Sequence, residues 1–167
     1  MTDGGSSLPE VQKLLSVLAA GRRCAEAGTA FGEGAAAMAA TAASVVTVEL
    51  DRERAAVARE RLAGLANVEL LEGDWREQLP RRAPFELVFL DGGGFKHDPH
   101  VLLPSAVELL AVNGVLVLDD FTPGRQQGDP AREAIRQHPE LLAVEILTTP
   151  ATAAIVATRV PGASSST

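Results

Sequence analysis

A single cysteine, Cys24, is all the thiol chemistry the chain carries. No internal disulfide can form and no thiolate metal centre can be built from it. Inside an apolar run a lone cysteine serves as a small buried hydrophobe. Long hydrophobic stretches are missing too, since no run approaches the ~18 apolar residues of a membrane-spanning helix. The opening residues Met1-Thr2-Asp3-Gly4-Gly5-Ser6-Ser7 lack the basic, then apolar, order of a secretory signal. A cytoplasmic location with no membrane partner is therefore expected. Positive charge is also in short supply. At a formal net charge of −7 no basic face stands out to neutralise phosphates, which argues against a nucleic-acid partner. Arg52, Arg54, Arg59 and Arg61 alternate with Asp51, Glu53 and Glu60, the pattern of a solvated helix face.

The chain does have enough length and apolar content for one well-buried core. Its 167 residues are 46% hydrophobic, too few for two ordinary domains. Residues 1–167 are read as one domain, with the Gly/Ser-rich segments 1–6 and 161–167 expected to be disordered tails. The most informative stretch is Cys24-Ala25-Glu26-Ala27-Gly28-Thr29-Ala30-Phe31-Gly32-Glu33-Gly34, an apolar run opening into glycines and then an alanine-rich segment. It reads as strand, glycine turn and helix. Gly28, Gly32 and Gly34 lack side chains, so a ligand can approach the backbone there. Seventeen residues after Gly32 the run Val45-Val46-Thr47-Val48 ends in Glu49, placed to accept hydrogen bonds from a ribose. The spacing points to a nucleoside cofactor.

Along the rest of the chain, apolar runs alternate with helical patterns. A helix is expected from Ser7 to Ala20, capped by Ser6 or Ser7, with Leu8, Val11, Leu14, Leu15 and Leu18 as its stripe. Strands are expected at 22–27, 44–49, 68–71, 85–90 and 115–118, with helices at 33–42, 51–63, about 99–111 and 129–137, and a short helical turn before Pro80. Asn113-Gly114 is expected to turn the chain into the fifth strand. Strands at 141–147 and 153–158 share so short a link that they must be antiparallel. This order argues for right-handed βαβ crossovers and a sheet covered by helices on both faces. Glu26, Glu49, Asp74, Asp91, Asp119 and Asp120 would then gather at the carboxyl ends of the strands, where open α/β sheets bind ligands.

The ordered set Glu26-x-Gly28-x-x-x-Gly32, Val48-Glu49-Leu50-Asp51, Gly73-Asp74-Trp75, Phe89-Leu90-Asp91-Gly92, Gly114-Val115-Leu116-Val117-Leu118-Asp119-Asp120 and the closing hairpin resembles the class I S-adenosylmethionine-dependent methyltransferases. Within that family it is most similar to the small O-methyltransferases of the catechol and caffeoyl-CoA type. The resemblance spans roughly residues 20–159. It implies a doubly wound, Rossmann-like sheet of seven strands whose last runs antiparallel, with helices on both faces. It also implies S-adenosylmethionine as cofactor and a small-molecule acceptor, and it leaves a homodimer open. Gly28, Thr29 and Ala30 would wrap the methionine part with Glu26 close behind, while Gly32 and Gly34 complete the loop. Glu49 would hold the ribose hydroxyls. Gly73, Asp74 and Trp75 would border the adenine, Asp74 accepting from its amine, and Leu50 would pack on the base. Asp91 would lie beside the transferred methyl.

In the catechol-type enzymes a magnesium ion sits on aspartates after the fourth and fifth strands and on an adjoining asparagine, which corresponds to Asp91, Asp119 and Asp120 here. Asp120 departs from that pattern by adding a third formal negative charge. The lysine expected three residues after the strand-four aspartate is also absent, because Gly94 stands there and Lys96 follows two positions later. A divalent cation on the three aspartates, or Lys96 or His97 in a mobile loop after Gly92-Gly93-Gly94, are the candidates to act on the acceptor. Phe95 and Lys96 are expected to swing over it. Asp119-Asp120 can equally be a plain turn after a buried strand.

Two other readings remain. Gly32-Glu33-Gly34-Ala35-Ala36-Ala37 fits G-x-G-x-x-A, which would suit an NAD-binding oxidoreductase. A fold that had lost its chemistry would leave a noncatalytic cofactor-binding or scaffold protein.

Overall fold

The computed structural model describes residues 7–91, 94–124 and 129–161. The expected tail 1–6, all but the first residue of the expected tail 161–167, and the expected loop glycines Gly92 and Gly93 lie outside the described residues. In chain order the elements are α1 (Pro9–Ala19), β1 (Arg23–Ala27), α2 (Glu33–Ala39), β2 (Ser44–Glu49), α3 (Arg52–Leu62), β3 (Val68–Glu72), α4 (Trp75–Gln78), β4 (Phe85–Leu90), α5 (Pro99–Glu108), β5 (Leu110–Phe121), α6 (Pro130–Gln137), β6 (Leu141–Thr149) and β7 (Thr152–Arg159). The seven strands form one sheet in the order β3-β2-β1-β4-β5-β7-β6. β1 to β5 are parallel, and β7 runs antiparallel to both β5 and β6. Among the described residues no helix is long and apolar enough to cross a membrane.

Strand alternation sends side chains to two faces, and each face has its own core. Cys24, Leu87, Phe89 and Val117 pack with Val11 and Leu15 of α1, Ala35 and Met38 of α2, and Ala58 and Leu62 of α3. Ala25, Ala27, Val88, Leu90, Leu116 and Leu118 pack with Trp75 and Leu79 near α4, Leu102 and Ala106 of α5, and Ala134 and Ile135 of α6. The small alanines of α2 let it lie close to the sheet. Cys24 is fully buried, and burial pushes its thiol up to about 12, so it behaves as the inert hydrophobe expected of it.

Two helices expected to begin at an aspartate have that residue as their N-cap instead. Asp51 Oδ1 accepts from the N–H groups of Glu53 and Arg54 at 2.8 and 3.1 Å, and Asp129 Oδ1 does the same for Ala131 and Arg132 at 3.1 and 3.2 Å. α1 differs from the expectation. Its N-cap position is Leu8, with no side-chain cap, and Pro9 opens the helix. Ser7 is drawn away from capping by a long-range partner, since its hydroxyl donates to Asp91 at 3.2 Å. The other difference is β5, which begins at Leu110 and runs straight through Asn113-Gly114. Instead of a turn, Asn113 takes a left-handed φ of 66° and the pairing with β4 shifts between Phe85–Leu110 and Leu87–Val115, which is a bulge. A Cβ on Gly114 would stand 2.8 Å from the Ala111 carbonyl oxygen, so only glycine fits there.

The order reverses between β1 and β4, so the crossovers on either side lead away from a crevice at their carboxyl ends. Ala27 is level with Val48 on one side and Leu90 on the other, and Leu90 is level with Leu118. Residues just past these positions therefore share one rim.

Candidate functional site

The rim is knitted together by backbone bonds. Gly28 and Thr29 donate to the Val48 carbonyl at 3.0 and 3.2 Å, Asp91 donates to Ala27 at 3.1 Å, and Gly73 donates to Glu49 at 2.9 Å. Above it opens a cleft of about 960 Å³, lined at one end by Gly28, Ala30, Glu49, Leu50, Gly73, Asp74 and Trp75, and at the other by Asp91, Gly94, Asp98, Leu102 and Asp120. This is the size of a pocket for a cofactor-sized ligand. A smaller cavity of about 530 Å³ lies between α6 and the β6–β7 hairpin, away from the rim.

Glu49 is buried, and its two oxygens are each aimed by a backbone group. Oε2 accepts from Ala30 N–H at 2.7 Å and Oε1 from Asp51 N–H at 2.9 Å. A carboxylate offers about four acceptor sites, and Glu49 also forms part of the cleft wall. Acceptor capacity thus faces the cleft. The turn that brings Ala30 to it needs positive φ at Gly28 (95°), Ala30 (48°) and Gly32 (90°). Beside Glu49, Leu50 is 74% exposed, an apolar side chain left on the cleft wall. Buried Trp75 lies across the β3 end.

Several expected residues sit behind the cleft wall rather than on it. Glu26 is 1% exposed and accepts from the Thr47 hydroxyl at 2.5 Å, while Thr29 and Thr47 hydroxyls are 2.5 Å apart. Burial drives the Glu26 carboxyl well above its ordinary range; the Thr47 bond opposes this and the charges of Asp91, Glu49 and Glu33 add to it. The glycines of the loop divide by job. Gly28 lines the cleft, whereas Gly32 is the left-handed N-cap of α2. A Cβ on Gly34 would stand 2.2 Å from Glu26 Oε1. Gly34 therefore makes room for the buried acid and not for a ligand, which corrects the expectation that all three glycines cradle one.

Asp74 caps α4, accepting from Arg76 N–H at 2.9 Å, and is gripped by the Arg76 guanidinium, whose Nε lies 3.0 Å from Oδ2. The Arg76 bonds hold its carboxyl below the usual range. Any contact of Asp74 with an adenine amine has to be shared with Arg76.

The other half of the cleft is organised differently. Asp91 is pushed up to about 6, first by burial and then by the charges of Asp119 and Asp120, against the Ser7 hydroxyl and the Lys96 charge. Asp119 is 4% exposed and also raised, chiefly by burial; its Oδ1 accepts from Asp120 N–H at 2.6 Å. Asp120 has a left-handed φ of 65°, a conformation aspartate tolerates better than most residues.

Among the described residues, no three Asp, Glu, His or Cys side chains are grouped so that they could hold a metal ion. On Asp91 and Asp119, one oxygen each is taken, Asp91 Oδ2 by the Ser7 hydroxyl and Asp119 Oδ1 by the Asp120 amide, so the three aspartates expected to hold magnesium are not arranged as a ready-made metal group here. The pair expected to swing over the acceptor is packed against the protein in this structure. Phe95 is 4% exposed and belongs to the core, and Lys96 Nζ donates to the Asp120 carbonyl at 2.6 Å. His97 is exposed, and its backbone N–H closes a turn on Gly94.

Sequence reasoning missed Ser7 and Thr47 as partners of Asp91 and Glu26. Thr47 had a legible signal, a lone hydroxyl within Val45-Val46-Thr47-Val48; Ser7 had none, being separated from Asp91 by 84 positions.

Comparison with known proteins adds the family. The family model described as "Methyltransferase domain" matches residues 25–121. Among solved structures, the O-methyltransferase TomG of Streptomyces achromogenes, involved in tomaymycin synthesis and crystallised with S-adenosylmethionine, superposes with a TM-score of 0.78 at 26% identity, over 96% of this chain and 84% of that one. An O-methyltransferase from Bacillus cereus, solved with S-adenosylhomocysteine, superposes with a TM-score of 0.74 over 93% of this chain and 83% of that one; at 21% identity the likeness is one of fold. A protein-L-isoaspartate O-methyltransferase from Polaromonas sp. is 32% identical over 104 residues, 61% of this chain and 42% of the relative. The matched part is thus less than half of that relative's length.

Proposed function

This chain belongs to the methyltransferase domain family, and from that premise we propose that it is an S-adenosylmethionine-dependent methyltransferase acting on an oxygen of a small acceptor. The observation that carries the reading is Glu49, a buried carboxylate aimed by the amides of Ala30 and Asp51 into a cleft of about 960 Å³. When bound, S-adenosylmethionine supplies an electrophilic methyl on a positively charged sulfur. In this chain Glu49 would take the ribose hydroxyls, Leu50 and Trp75 would flank the base, and the Gly28–Ala30 turn would receive the amino-acid end. Asp91 and Asp120, on the opposite wall, would face the acceptor. Holding the acceptor oxygen in line with the methyl is the main catalytic task, since such displacements gain most from orientation.

The isoaspartyl relatives suggest a second class of acceptor, a carboxylate. The buried Asp119 and the cleft-lining Asp91 and Asp120 oppose it, because like charges at short range repel strongly at the low dielectric of a protein surface. A neutral or cationic hydroxyl compound is favoured. The NAD alternative finds its motif at Gly32-x-Gly34, yet Gly34 faces Glu26 rather than the cleft.

Isothermal titration with S-adenosylhomocysteine tests the reading. One site per chain with a dissociation constant on the order of 10 μM is expected, weakened about 100-fold in Glu49→Ala as a charged acceptor and its bonds are lost. Binding of NAD in preference, or no change in the variant, overturns it. Transfer of labelled methyl to an isoaspartyl peptide, but not to hydroxyl compounds, would move the acceptor class to carboxylates.

A further inference from the structure

The cleft wall at the ends of β4 and β5 has an acidic excess and no grouping of acids that could hold a metal among the described residues, yet it does hold a cation. Lys96 sits on a turn built for it. Gly94 takes a φ of 77° and accepts from the N–H groups of His97 and Asp98 at 2.9 and 3.2 Å, while Phe95 is anchored in the core. From that turn the Lys96 ammonium donates to the Asp120 carbonyl at 2.6 Å and lies 5.2 Å from the centroid of the buried Phe121 ring. Carbonyl oxygen and ring face both attract a cation. The left-handed backbone at Asp120 is the bend that follows Asp119 and precedes Phe121.

We propose that Lys96 is the resident cation of this acidic wall, standing in for a divalent ion, so that acceptor binding in this chain needs no metal. Its charge acts on Asp91 and Asp119 alike, in opposition to their mutual repulsion. Tethered by its ammonium hydrogens to a backbone carbonyl, Lys96 is an electrostatic positioning residue and not the proton acceptor for the substrate hydroxyl. In this role it does not swing over the acceptor as a base. The functional consequence rests on the methyltransferase reading; the charge arrangement itself does not.

The test is therefore a binding measurement on the full chain. Magnesium, manganese and calcium are titrated into the native protein, Lys96→Gln and Lys96→Arg, following heat and melting temperature, with S-adenosylhomocysteine titrated separately. The native protein and Lys96→Arg should show no saturable metal site tighter than about 1 mM, the weak end of protein calcium sites. Lys96→Gln should bind metal about tenfold more tightly or better, as expected when one unit of positive charge is removed from the same wall. Asp119→Asn in the Lys96→Gln background should abolish the gain. A sub-millimolar site in the native protein, or the same metal response in Lys96→Gln as in the native chain, overturns the proposal. If Lys96→Gln does not fold, sub-millimolar binding by native protein or Lys96→Arg still overturns it, and no such binding by either supports it. Loss of S-adenosylhomocysteine binding by the native chain would count against the methyltransferase reading alone.

Discussion

The two halves of the cleft wall are both acidic, but their acids are handled in opposite ways. At the ends of β1 and β2, Glu49 is satisfied by the backbone amides of Ala30 and Asp51, and Glu26 by the hydroxyl of Thr47 on the neighbouring strand. At the ends of β4 and β5, Asp91, Asp119 and Asp120 repel one another, with relief from Ser7 of a distant segment and from Lys96 of a loop. The first half is held by hydrogen bonds between neighbouring strand ends. The second is an electrostatically stressed surface whose state follows pH and charge.

The first half should therefore tolerate least. Gly34→Ala would push a methyl against the buried Glu26 carboxyl and the Phe89 ring edge, 3.2 Å away, and overpacking of this kind costs about 2 kcal/mol. Chemical denaturation would measure it. A cost below about 0.5 kcal/mol, the level of an ordinary surface change, would mean that Glu26 can move and that the halves are equally pliant.

For the second half the sign is opposite. Asp91 holds its proton more tightly in the folded protein, with a pKa of about 6 against an ordinary 3.8. Folding is thus unpenalised below about pH 4 and loses stability as pH rises from about 4 to 6, the unfolded chain giving up its proton first. Asp91→Asn should be more stable than the native chain at pH 7 by about 1–2 kcal/mol, with the gain vanishing near pH 4. Melting curves across that range would show it; a pH-independent difference would remove the electrostatic account.

The smallest effect should come from Ser7→Ala. Removing one hydroxyl that steadies the Asp91 carboxylate should cost about 1 kcal/mol at pH 7 and move the midpoint of the pH-dependent loss upward. The same cost at pH 4 and pH 7 would assign Ser7 to packing alone.

The parts of the fold legible from sequence were those with local causes. Strand ends could be read from apolar runs stopping at Glu49 and Leu90, the starts of α3 and α6 to within a residue of Asp51 and Asp129, and the final antiparallel pair from the shortness of Thr148-Thr149-Pro150-Ala151-Thr152. Asn113-Gly114 misled because the same left-handed residue that makes a turn also makes a bulge, and only the neighbouring strand β4 decides between them. For the loop after β4, the sequence carried no sign of the positions its side chains take, Phe95 in the core and Lys96 on a carbonyl.

Alternating apolar runs and helical stripes, governed by nearest neighbours along the chain, determined a parallel, helix-covered sheet with an acidic rim at its strand ends. Tertiary structure alone decided which acids line the cleft and which are enclosed. Glu26 and Glu49 both follow apolar strand residues, yet Thr47 and Gly34 enclose one while the amides of Ala30 and Asp51 present the other. The charge balance among Asp91, Asp119, Asp120 and Lys96 was likewise invisible, because Coulomb interactions depend on distance in space, and Lys96 meets its carbonyl partner 24 positions away.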